Sequence, residues 1–163
     1  MATGQSMQLA KQIGEYLTAA ELCRRKFVAA TFSGNVPHYD ILASDENGKK
    51  IAVQVKTIRG GSWQFDARKF VNITMSGNKQ VLGVEKKEPY PNLLCVFILI
   101  DNYGSDKFYI FTWKQLQDIM IYRYKRWLDK HDGKRPRKPD SFHSSLNPED
   151  LKKHEDNWDI LFT

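Results

Sequence analysis

Asp40, Gln54 and Lys56 are the side chains whose spacing suggests reactivity. They fall within Asn35–Thr57, NVPHYDILASDENGKKIAVQVKT, which reads as two short strands joined by a turn at Asn47-Gly48. Side chains alternate along a strand, so Gln54 and Lys56 share one face while Ile51, Val53 and Val55 take the other. An acid on one strand, with an amide and an ammonium two residues apart on the next, suits a metal-dependent phosphodiesterase. A divalent cation offsets charge on the non-bridging oxygens and lowers the pKa of an attacking water. Hard cations such as Mg²⁺ take oxygen ligands, usually one or two carboxylates with carbonyls and waters. Asp40 supplies a carboxylate, the Val55 carbonyl a backbone oxygen and Gln54 an amide oxygen. Lys56 can hold the water or offset charge on the phosphorus.

The elements that must position these groups can be read in chain order. Residues 6–25 are expected to form a helix, with Leu9, Ile13, Tyr16, Leu17 and Ala20 at helical spacing. Gly14 interrupts that pattern at a cost of about 1 kcal/mol relative to alanine, which implies close packing at that point. Three strands are expected at 26–32, 39–44 and 51–57. Residues 63–71 read as an extended segment, and 72–91, with Gly77, Gly83 and Pro89, as mostly irregular. Leu93–Ile100 is apolar on both faces and is expected to be a fully buried strand. A further strand at Phe108–Phe111 follows, then a helix capped by Thr112 and running toward Leu128. Residues 133–145 read as a basic loop. Asn147-Pro148 has the form of a helix start, and Trp158, Ile160, Leu161 and Phe162 of a docked apolar tail. The expected organisation is one domain over 1–163, with a basic loop and helical extension over about 113–163.

Pro37-His38-Tyr39-Asp40, then Gln54-Val55-Lys56, preceded by Gly14-Glu15 on a first helix, resembles the PD-(D/E)XK, or restriction-endonuclease-like, nuclease superfamily. The Gln-x-Lys pair is similar to a variant branch of that superfamily. The resemblance implies an α/β fold with an αβββαβ core, a mixed central sheet flanked by helices. It implies that Asp40 and Gln54 ligate the metal and Lys56 is catalytic, with Glu15 a further ligand or a water-orienting acid. Mg²⁺, replaceable by Mn²⁺, would be the cofactor. Gln54 in place of an acid removes one negative charge from the metal site, so Glu15 carries more weight. A catalytically inactive nucleic-acid-binding module that keeps the fold stays open as the alternative.

Composition is compatible with either reading. The chain has 163 residues, 41% of them apolar, and a net charge of +6, which suits a soluble globular protein with an anionic partner. Its longest apolar run is far below the roughly 20 residues of a membrane span. Met1-Ala2-Thr3-Gly4 lacks the basic and apolar regions of a secretory signal, so the expected compartment is the cytoplasm. Cys23 and Cys95 show neither metal-ligand nor disulfide spacing, and His38, His131, His143 and His154 form no ligand pair. Two segments are candidates for DNA, duplex or branched. Arg59, Trp63, Gln64, Arg68 and Lys69 follow the active strand. Arg123, Lys125, Arg126, Lys130, Lys134, Arg135, Arg137 and Lys138 form a run containing only two acids, Asp129 and Asp132. Cutting both strands of a duplex needs two such sites, so a homodimer or higher oligomer is expected.

Overall fold

A computed structural model describes residues 4–163; Met1, Ala2 and Thr3, part of the stretch read for a leader, lie outside the described residues. In chain order the elements are α1 (Gly4–Arg24), β1 (Val28–Thr31), β2 (Ile41–Ser44), β3 (Lys50–Ile58) and β4 (Trp63–Asp66). They continue with β5 (Val71–Ser76), β6 (Lys79–Glu85), β7 (Leu94–Leu99), β8 (Lys107–Thr112), α2 (Trp113–Lys130) and β9 (His143–Leu146). Short 3-10 helices cover Ala67–Lys69, Pro148–His154 and Trp158–Phe162. Among the described residues, no helix is long and apolar enough to cross a membrane. The chain forms two compact units. The first takes the residues up to Trp63, Glu88–Trp113 and Asn147–Thr163; the second takes Gln64–Lys87 and Lys114–Leu146.

The first unit is a mixed α/β layer structure around a five-stranded sheet of order β1-β2-β3-β7-β8. Strands β3 and β7 run parallel, and every other pair in the sheet is antiparallel. Ile51, Val53 and Val55 of β3, with Leu94, Val96 and Ile98 of β7, give one face to a core closed by Leu22, Trp158 and Leu161. The expected alternation in β3 is therefore observed. On the other face Phe97 meets Phe111 and Trp63, and Phe111 packs against His154. Cys95 is fully buried there, and burial raises its thiol far above the ordinary range, which makes it an inert core residue.

Three expectations need correction. In α1 the buried stripe is Ala10, Gly14, Thr18 and Leu22, whereas Leu9 and Tyr16 are exposed. A helix lying this close to a strand must put small residues against it, and spacing of large apolar residues does not report that. The parallel connection from β3 to β7 also lacks the crossover helix of an αβββαβ core. It carries β4, a 3-10 turn and the β5–β6 hairpin instead. The stretch read as irregular is thus an antiparallel ribbon, with Thr74 opposite Val81 and Ser76 opposite Lys79 across a Gly77-Asn78 turn. Gly77 takes φ of 59°, a left-handed value that a tight hairpin turn needs.

The second unit packs this ribbon on α2. Ile73 and Leu82 join Ala67, Tyr124, Trp127 and Leu128 in a small core. Its buried polar groups are satisfied. The Gln117 amide donates to the carbonyls of Phe70 (2.7 Å) and Lys86 (2.8 Å). Gln80 donates to the carbonyls of Pro139 and Ser141 and accepts from the Tyr124 hydroxyl. The run expected to be a basic loop ends in β9, which pairs with β4.

Candidate active site

Asp40 stands immediately before β2, where that strand leaves β3. Its backbone N–H donates to the Val53 carbonyl at 2.8 Å, and its carboxylate Oδ2 accepts the Val55 N–H at 2.8 Å. The carboxylate thus takes over a backbone partner at the point where the ladder ends. Exposed His38, two residues earlier, adopts φ of 78°. Tyr39 packs edge-on against Tyr90 and Phe32, which steadies the approach to Asp40.

Helix α1 brings the second acid. An added Cβ at Gly14 would lie 1.9 Å from Thr57 Oγ1, so only glycine allows this approach of helix to strand. The close contact places Glu15, the next residue, beside Asp40. Lys11 Nζ lies 3.5 Å from Glu15 Oε1 and 3.6 Å from Asp40 Oδ1, bridging the two carboxylates. The acid side chains are 13% and 18% exposed while Lys11 is 55% exposed, so the ammonium reaches in from solvent. Burial raises the Glu15 carboxyl above its ordinary range, and the Asp40 charge raises it further; Lys11 opposes both. Thr18 Oγ1 and Thr57 Oγ1 are buried with no hydrogen-bond partner beside this contact.

Gln54 and Lys56 are half-buried and bracket Val55, on the opposite face of β3 from its side chain. The Lys56 carbonyl accepts from the Trp63 indole at 3.3 Å, and the Lys56 charge reaches the Cys95 thiol. Glu15, Asp40 and the Val55 backbone therefore meet at one place, with Gln54 and Lys56 on either side of Val55 in the chain. Lys11 is the residue here that strand spacing does not point to, although it precedes Glu15 by four residues, a spacing that pairs side chains on a helix.

This donor set fits a hard cation. Among the described residues there is no group of three or more His, Cys, Asp or Glu arranged for a metal. Two carboxylates with neutral oxygens suit Mg²⁺, which keeps several of its waters, better than a metal needing a closed nitrogen and sulfur cage. A positive charge already bridges both acids in the form of Lys11. Glu15 and Asp40 would hold the ion, with Gln54 and the Val55 carbonyl as the further oxygens.

The expected DNA-binding residues are distributed unevenly. Trp63 is 2% exposed, packed on Phe97 and Tyr109, and has almost no surface for a ligand. Arg59 and Lys69 are exposed. Arg68 is held by the Asp66 carboxylate at 2.6 Å and lies over the Phe142 ring, and Gln64 bonds the His143 ring. In the second unit Arg135 turns inward, donating to the carbonyls of Ser141 and His143 and lying over Trp127. Lys125 pairs with Asp129. Arg135, Arg137 and Lys138 line a cleft of about 400 Å³ with Trp127, and Arg123 lines a neighbouring one. Lys134 and Arg126 are exposed.

No protein-family model matches the chain. No curated protein matches it in sequence. Among solved structures it is similar to a bacterial homing endonuclease, I-Ssp6803I, at 15% identity and a TM-score of 0.49, over 96% of this chain and 93% of that one.

Proposed function

We propose that this protein is a metal-dependent DNA endonuclease, with its centre at Glu15, Asp40, Gln54, Val55 and Lys56. The observation that carries the reading is the convergence of two carboxylates on the backbone of Val55 with a cation bridging them. Bound there, Mg²⁺ or Mn²⁺ would supply charge neutralisation at the phosphate and an acidified water. The Val55 N–H holds Asp40 Oδ2 and so fixes the carboxylate that would take the ion. Glu15, partly desolvated, presents a basic carboxylate that can accept a hydrogen bond from water. Lys56 would offset charge building on the phosphate oxygens. Arg59, Lys69, Arg123, Lys134, Arg137 and Lys138 would meet the DNA backbone, and two copies of the chain would cut both strands.

Nicking of supercoiled plasmid by the purified protein with Mg²⁺ or Mn²⁺ tests this. Asp40→Ala and Lys56→Ala should each lower the rate at least 100-fold while the circular dichroism spectrum is unchanged. Full activity in either variant would refute the assignment. Gln54, standing where an acid would add a third negative charge, favours one other reading: a DNA-binding module that no longer cuts. That reading predicts salt-sensitive DNA binding with neither cleavage nor a calorimetric Mn²⁺ signal.

A further inference from the structure

The charge of the chain is partitioned between its two units. The second unit holds fourteen Lys and Arg against six Asp and Glu, a net +8; the first holds eleven against thirteen, a net −2. The surplus that makes the protein basic therefore lies wholly in the unit that carries the β5–β6 ribbon.

One face of that ribbon is locked. Gln80 is 5% exposed and held at both ends of its amide, and Ile73 and Leu82 pack on Tyr124, Trp127 and Leu128 of α2. The other face is bare: Asn72, Thr74, Ser76, Lys79, Val81 and Gly83 are all exposed. It offers an amide, two hydroxyls, methyl groups and one ammonium, 3.5 Å from the Asp132 carboxylate, on a two-stranded support. The basic loop runs beside it, with the Gly133 carbonyl accepting from the Gln80 N–H and Lys134 bridged to Lys79.

We infer that the Asn72, Thr74, Ser76 and Val81 face of this ribbon reads base edges in the major groove of duplex DNA, while Lys134, Arg137 and Lys138 beside it hold the phosphates. The inference rests on the DNA reading above and adds to it the element that confers sequence preference. Two strands about 4.8 Å apart fit a groove about 12 Å wide. The amide and hydroxyls match the groove's donors and acceptors, and the Thr74 and Val81 methyls match the thymine methyl. The major groove of duplex RNA is too deep and narrow for such a ribbon, so DNA is the occupant.

The test uses the full chain with Ca²⁺ in place of Mg²⁺ and a randomised duplex DNA library. The wild type should enrich a motif. The exchange T74V/V81T keeps a β-branched pair and hence the ribbon, but moves the hydroxyl across it. It should enrich a motif changed at one or two positions and bind the original roughly tenfold more weakly. Asn72→Ala should weaken that motif similarly. Melting temperature, bulk DNA affinity and its salt slope should stay as in the wild type, because phosphate contacts carry those. Enrichment of the same motif by the variants, DNA binding without any motif, or equal competition by duplex RNA would each overturn ribbon readout while leaving the metal centre standing. Absence of binding to any duplex would remove the DNA reading itself.

Discussion

Gly14→Ala is the sharpest perturbation of the geometry that assembles the centre. The new methyl would meet Thr57 Oγ1 at 1.9 Å, Thr57 Cβ at 3.1 Å and Thr57 Cγ2 at 3.3 Å. An ordinary contact begins near 3.4 Å, so α1 and β3 must separate by roughly 1 Å, or Thr57 must rotate. Rotation gives up no hydrogen bond, because Thr57 Oγ1 has none, but the 3.1 Å contact to Cβ remains. Overpacking of this kind costs about 1–3 kcal/mol, and the better helix propensity of alanine returns about 1 kcal/mol. The net expectation is a loss of up to about 2 kcal/mol. Thr57→Ala removes the two atoms that rotation would have to relocate, so the double variant should recover most of the loss. Urea denaturation of the four proteins gives the coupling directly, expected at about 1–2 kcal/mol in favour of the double variant. Mn²⁺ titration should show weaker binding in Gly14→Ala alone, since the helix that carries Glu15 has moved from Asp40. A coupling of zero would refute the close approach, because the helix-propensity gain cancels in the cycle and the overpacking does not.

Two further predictions concern the same acids. Lys11→Met removes the ammonium that competes for them, so Mn²⁺ affinity measured by calorimetry should rise about tenfold, as expected for a mostly exposed charge; unchanged or weaker binding would mean that Lys11 does not stand where the ion binds. The Glu15 carboxyl has its folded-state pKa raised, so the folded protein holds this proton more tightly than the unfolded chain does. The metal-free protein therefore loses stability as pH rises from the ordinary carboxylate value of 4.5 through the raised one. Glu15→Gln should flatten that slope in metal-free melting curves between about pH 4 and 7, and a slope unchanged by the substitution would place the titration elsewhere.

The parts of this molecule legible in the sequence are those governed by short-range periodicity. The two-residue alternation of Ile51, Val53 and Val55, the unbroken apolar run around Cys95, and the helix start at Asn147-Pro148 all report local rules that the fold obeys. Gly14 was legible as a point of close packing because glycine inside a helix is unfavourable unless something presses on it. What pressed on it, Thr57, was not, because that contact spans 43 positions and no spacing rule encodes it. The buried stripe of α1 escapes spacing for the same reason: Ala10, Gly14 and Thr18 are small to admit a strand, and a pattern of large apolar residues takes in exposed Leu9 and Tyr16 along with Leu17, which does pack on the core. The β5–β6 ribbon escaped notice because its glycines read as breaks, and because polar Gln80 occupies an inward position that only the Tyr124 hydroxyl and two distant carbonyls make tolerable.

That last failure bears on function. A buried glutamine with every polar group satisfied fixes one orientation of the ribbon, since turning it over would strand the amide without partners at about 1–3 kcal/mol per lost group. The same bonds that hide the ribbon from sequence patterns therefore determine which residues it presents. Asn72, Thr74 and Val81 face outward because Ile73, Gln80 and Leu82 cannot. The outward residues do not set that orientation, so the identity of their polar groups is free to be set by a ligand. The proposed catalytic acids are positioned by a contact between one helix and one strand, and the proposed recognition face by one buried amide. Both rest on long-range partners, which is why residue spacing points to the chemistry of the centre but not to the ribbon face.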